Sequence, residues 1–148
     1  MILQDEFAFY KKLSRRRKRY FRHRLATFMS KYQFMSKEGL EVTDQMKVLI
    51  GATATMLTFG MKDYLFDVFD KIIIFPESYY SKLNEAYHKG EFNPRMRVLV
   101  FSWKDFLHGY SADNDNMNLG LHEFAHALNF QELKSNNTTS SIFTDMFR

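Results

Sequence analysis

The sequence predicts an α+β domain with a small sheet, on three observations. Apolar residues recur at helical spacing through much of the N-terminal third. Two short β-branched runs, Lys71-Ile72-Ile73-Ile74-Phe75 and Arg97-Val98-Leu99-Val100-Phe101-Ser102-Trp103, lie in mid-chain. A third helical pattern then follows the strands. Hydrophobic residues make up 45% of the 148 and aromatics 17%, which is enough to build a core and excludes overall intrinsic disorder.

The elements follow in order. Residues 6–34 read as one helix, because Phe7, Tyr10, Leu13, Tyr20, Phe21, Leu25, Phe28 and Tyr32 repeat without Gly or Pro. Thr43 is a natural N-cap for a second helix over 43–60, with Met46, Leu49, Ile50, Met56 and Leu57 as its stripe and Gly60 at its stop. Tyr64–Phe69 is a short amphipathic piece before the first strand, which ends at Pro76. Residues 77–95 are polar and read as a connection with a helical turn. After the second strand a loop spans Gly109–Asn116, and Asp115 or Asn116 caps a helix over 117–133. Residues 134–148, with Ser-Asn-Asn-Thr-Thr-Ser-Ser, have the composition of a flexible tail. The expected organisation is a basic N-terminal helix over 1–34, a core over 35–133 and that tail.

Charge is unevenly placed. Residues 11–24 carry nine Lys or Arg and no acid, while residues 25–148 carry twelve basic and fifteen acidic side chains. The basic run is a solvated helix face or a contact for an anionic surface, with a lipid surface preferred and no specific nucleic-acid binding expected. No run of 18 apolar residues offers a spanning helix, and the first twenty residues lack the small-residue cleavage site of a secretory signal. The expectation is a cytoplasmic protein whose residues 11–24 can meet the inner membrane surface. With no cysteine, any metal must be held by His, Asp or Glu.

His122-Glu123-Phe124-Ala125-His126 carries the chemistry. On a helix, imidazoles four residues apart project from one face and can chelate one Zn²⁺. Glu123 is placed to act as general base on an activated water and then to protonate the leaving amine. Other polar residues carry less. His108 reads as a loop residue, and His88 and His23 as surface residues. Tyr79, Tyr80 and Tyr110 could stabilise an oxyanion, though no spacing singles one out.

Four segments occur in a recognisable order: Gly39–Ile50, the strand ending Phe75-Pro76, Val100-Phe101-Ser102-Trp103, and Leu121-His122-Glu123-Phe124-Ala125-His126. From about residue 26 to 130 the chain resembles the Mlc titration factor A family of zinc-dependent bacterial peptidases with a zincin-like core. The resemblance implies that His122 and His126 bind zinc, that Glu123 is the catalytic base, and that the activity is an aminopeptidase-like hydrolysis of peptide substrates. It also implies a third ligand, a Glu on a later helix. The chain ends 22 residues after His126, so it is expected to be truncated within the family's pattern. Where the family usually has Asp, three residues after the second histidine, this chain has Asn129. Within the chain, Glu132 points away from a metal on the same helix, and Asp145 could fold back as a substitute. In zincin-like folds substrate adds to a sheet edge beside the active-site helix, and Val98, Leu99, Val100 and Phe101 are the candidates for that edge. The alternative is a peptidase-like interaction or regulatory module with an incomplete metal site.

Overall fold

The computed structural model describes residues 2–3, 7–81, 86–111 and 118–146, with the side chains of 109–111 and 136–146 outside the description. It is a mixed α+β structure in which helices cover one face of a small sheet.

The expected helix over 6–34 is interrupted. A single turn, α1 (Ala8–Lys11), stops before Ser14, and α2 (Arg15–Lys31) starts afresh because the Ser14 side chain accepts from Arg17 N–H at 3.2 Å. Tyr32 is extended (φ −102°, ψ 145°) and ends α2, so that Gln33–Ser36 becomes strand β1 rather than a last helical turn. Its hydroxyl both donates to the Phe66 carbonyl and accepts from the Phe66 N–H, each at 2.6 Å. That bridge fixes Tyr64–Phe69, an irregular stretch whose Phe66 and Phe69 are buried.

Helix α3 (Asp44–Leu57) has Thr43 as its N-cap, as the sequence predicts, with Thr43 Oγ1 accepting from Met46 N–H at 3.2 Å. Strand β2 (Lys71–Phe75) follows. The polar stretch 77–95 holds three short strands instead of a helical turn: β3 (Tyr79–Ser81) pairs antiparallel with β4 (Ala86–His88), and β5 (Gly90–Asn93) joins the main sheet. Strand β6 (Val98–Ser102) leads into α4 (Trp103–Ser111), which takes the place expected for the start of a loop. Residues 112–117, including the expected caps Asp115 and Asn116, lie outside the described residues. Asn118 caps the last helix instead, its side chain accepting from Leu121 N–H at 3.1 Å. That helix, α5, runs from Leu119 to Met146, through the segment expected to be a flexible tail.

The main sheet has the order β1-β2-β6-β5, with β1, β2 and β6 parallel and β5 antiparallel. Ile72, Ile74, Leu99 and Phe101 point from it into the helices and are fully buried. Phe124 of α5 sits among Phe28, Phe66, Phe69 and Phe101, with ring centroids 5.6–6.3 Å apart. At Gly120 the helix approaches α4 closely. A Cβ there would lie 2.6 Å from the Phe106 ring, so glycine sets how deep the start of α5 can seat.

Candidate metal centre

The spacing of α5 divides its faces. Phe124 and Ala127 are buried in the core, while His122 and His126, one turn apart, emerge on the exposed side. Their Nε2 atoms approach to 3.0 Å with the rings nearly perpendicular. Two nitrogens each about 2.05 Å from one tetrahedral ion would be ~3.3 Å apart, so this pair is already within a few tenths of an ångström of chelating geometry. Glu123 Oε1 lies 3.8 Å from His122 Nε2, and one donor atom from each of the three residues falls within 4.8 Å of the others. Two imidazoles and a carboxylate are suitable ligands or partners for a divalent metal, and the residues present fit one.

Glu123 differs from its neighbours in being buried, at 6% exposure. Burial holds its carboxyl above the usual carboxylate range and Glu91 adds to the effect, while His122, His126 and His88 pull the other way. The Glu123 Cγ lies close to β5 because position 90 is glycine. A Cβ on Gly90 would come within 3.2 Å of Glu123 Cγ and 3.0 Å of Leu119 Cδ1. Edge strand and helix therefore touch at the carboxylate, and an open cleft of about 470 Å³ runs from Glu123 and His126 along Phe92, Pro94 and Phe130.

Several sequence expectations change here. Val98, Leu99, Val100 and Phe101 are not an edge: β6 is flanked by β2 on one side and β5 on the other, so both of its hydrogen-bonding sides are used. The edge beside the metal face is β5, whose Gly90-Glu91-Phe92-Asn93 sequence lacks the β-branched run that marks an interior strand. The side chain of Asp145 lies outside the description, and its backbone follows His126 by nineteen residues on one continuous helix, about 28 Å along the axis. Glu132 and Asn129 are exposed on the same helix. Among the described residues no further carboxylate joins the His122–Glu123–His126 group.

His88 is not a plain surface residue. Its Nε2 is buried and makes no hydrogen bond among the described residues, and it lines the cleft with Glu123. Tyr79, directly across the β3–β4 pair from His88, likewise has a buried hydroxyl, which faces the Glu91 carboxylate. Burial pushes that hydroxyl up, helped by the charges of Glu91 and Glu123. Glu91 accepts from Ser81 Oγ at 3.3 Å. The one signal that could have found this wall is the clustering of Tyr79, His88 and Glu91 next to Gly90. Tyr80 is exposed, His108 lies on α4, and the Tyr110 side chain is outside the description.

The description "glucose-regulated metallo-peptidase M90" matches residues 1–141. The chain belongs to the M90 family of glucose-regulated metallopeptidases. An uncharacterized protein of Synechocystis sp. is 24% identical over 138 residues, which cover 86% of this chain and 50% of that protein. The chain thus spans about half the length of the curated relative it matches. Membership in M90 places the chain in a family of metallopeptidases, and His122, Glu123 and His126 form a group that could hold a metal ion.

Proposed function

We propose that this M90 chain carries the zinc-binding half of a zincin-like peptidase site and cleaves peptides near their amino terminus. The observation that carries the reading is the approach of His122 and His126 Nε2 to 3.0 Å beside a buried Glu123, at the free edge of a sheet. His122 and His126 would hold the ion, and zinc suits two imidazoles in a site that keeps open positions. When bound, such an ion supplies Lewis acidity, which polarises a carbonyl and makes water easier to deprotonate.

The chain's own residues do the rest. Glu123 takes a proton from the attacking water on its carboxylate and delivers it to the leaving nitrogen as the C–N bond breaks. Its burial holds the carboxyl above the usual carboxylate range, which favours keeping the proton until it is passed on. An extended peptide can lie along β5, where backbone groups on the outer side of Gly90–Asn93 have no strand partner among the described residues. Phe92 and Phe130, in edge-to-face contact at 5.6 Å, offer an apolar wall for a substrate side chain.

The second reading, a peptidase-like interaction module, is favoured by one observation: the described residues supply two histidines but no third protein ligand besides Glu123. One experiment decides. Zinc content and hydrolysis of a chromogenic alanine anilide are measured for the protein and for Glu123→Gln. Stoichiometric zinc in both, with turnover lost in the variant, supports the peptidase. Absence of zinc and turnover in both supports the module.

A further inference from the structure

Helix α2 presents a face that the peptidase reading does not use. Helical spacing puts Arg15, Arg19 and Arg22 in one row with Ala26 and Met29. The N-terminal part of that row is cationic. Among the described residues, no carboxylate pairs with Arg15, Arg17, Arg19, Lys11 or Lys12. Arg22 is exposed and donates to the Tyr10 hydroxyl at 2.6 Å. The C-terminal part of the row is apolar. There Leu25, Ala26 and Met29, with Ile2, Leu3 and Val48, line a groove of about 270 Å³ whose rim is Arg22.

The positive charge is also placed where it costs helix stability. The first turn of α2 has no acidic residue and begins Arg-Arg-Arg-Lys-Arg, so its charges oppose the helix dipole. By contrast Arg24, on the inner side, is consumed structurally, donating to the carbonyls of Thr58, Phe59 and Met61. Among the described residues, Arg15 and Arg19 hold no backbone carbonyl in this way.

We propose that this face docks on an anionic phospholipid bilayer, with Arg15, Arg19 and Arg22 on lipid phosphates and the Met29–Val48 groove receiving acyl-chain carbon. A nucleic acid would use the cations but has nothing to place in an apolar groove, whereas a phospholipid has both parts in this order. Residues 25–148 are slightly acidic overall, so the attraction would orient the domain with this face towards the lipid. The proposal is independent of the peptidase reading, and Glu123→Gln should bind vesicles as the unchanged protein does.

The test is co-sedimentation with vesicles of phosphatidylcholine containing phosphatidylglycerol, against phosphatidylcholine alone. Binding is expected to the anionic vesicles only, and to weaken as salt rises. The double variant Arg15→Gln/Arg19→Gln should bind about thirtyfold less tightly, from roughly one kcal/mol per basic residue. Met29→Gln, which leaves the charge unchanged, should also weaken binding. Far-UV circular dichroism checks that both variants keep their helix content. Equal binding to neutral vesicles, no binding to anionic ones, or undiminished binding by the double variant would overturn the proposal. So would tighter binding to a DNA duplex that Met29→Gln leaves untouched.

Discussion

Gly90 and Glu123 meet closely: a Cβ at position 90 would stand 3.2 Å from Glu123 Cγ and 3.2 Å from Val100 O, tighter than ordinary contact. Since backbone cannot yield as a side chain can, the strain of adding a methyl would fall on Glu123 and Leu119. Gly90→Ala is therefore expected to cost about 1–3 kcal/mol of stability by overpacking. Its turnover should fall further than that loss explains, because the displaced group is the proposed base. Thermal midpoint and kcat measured together check this, and a variant with unchanged kcat would show that Glu123 is not held by the contact.

The histidine pair makes a prediction that needs no substrate. A ligand that binds only the folded state raises stability, by roughly 2.7 kcal/mol when its free concentration is a hundred times Kd. Added zinc should raise the thermal midpoint of the protein and leave that of His126→Ala where it was, because one imidazole cannot chelate. A chelator should reverse the gain.

Tyr32 closes the end of α2 by holding both backbone groups of Phe66. Tyr32→Phe leaves the Phe66 N–H without its acceptor, while the carbonyl keeps the Lys31 ammonium at 3.0 Å, and should cost roughly 1–3 kcal/mol. Burial, opposed by the bond to Phe66 and assisted by the charges of Asp67 and Asp70, pushes the hydroxyl well above its ordinary value. A pKa raised in the folded state gives stability that is complete below the unfolded value of about 10 and is lost as pH rises beyond it. Denaturant titrations at rising alkaline pH should show this loss in the protein and less of it in Tyr32→Phe.

At the acid end the sign reverses. Arg97 holds Asp70 by two bonds, Nε to Oδ2 at 2.9 Å and a terminal nitrogen to Oδ1 at 3.1 Å, and these lower the carboxyl pKa. The stability this contributes is present above the unfolded value, about 3.9, and is lost as pH falls. Arg97→Ala should remove that acid-sensitive part. Arg97 also has φ 56°, a left-handed conformation that glycine adopts freely, so Arg97→Gly should be less destabilised than Arg97→Ala. Urea midpoints of the three proteins at neutral and acid pH test both statements.

What the sequence showed were local signals. Thr43 caps α3 through a bond to its own third residue, and the Ile72–Ile74 and Val98–Phe101 runs need no partner to read as strands. The two histidines and Glu123 were legible for the same reason, since four-residue spacing on one helix is a property of the segment alone. What it hid depends on distant partners. Gln33–Ser36 is a strand because β2 lies alongside it, in a segment whose composition suits a helix end. The place of β6 inside the sheet follows from β5, a short polar strand with a single aromatic residue. His88 looked like a surface residue because its burial comes from a hairpin pairing with Tyr79. The continuation of α5 beyond Leu133 runs through residues of poor helix propensity, and nothing in the structure explains it.

Phe124 stands between the two histidines in sequence and at the centre of four aromatic rings in space. The helix turn that presents the two histidines outward is the same turn that anchors the domain inward. With a metal held there as proposed, its affinity and global stability would be two readouts of one cooperative unit. A conservative change far from the surface, such as Phe66→Leu, should register as a shift in zinc dissociation, so a metal titration can serve as a gauge of how tightly the interior is packed.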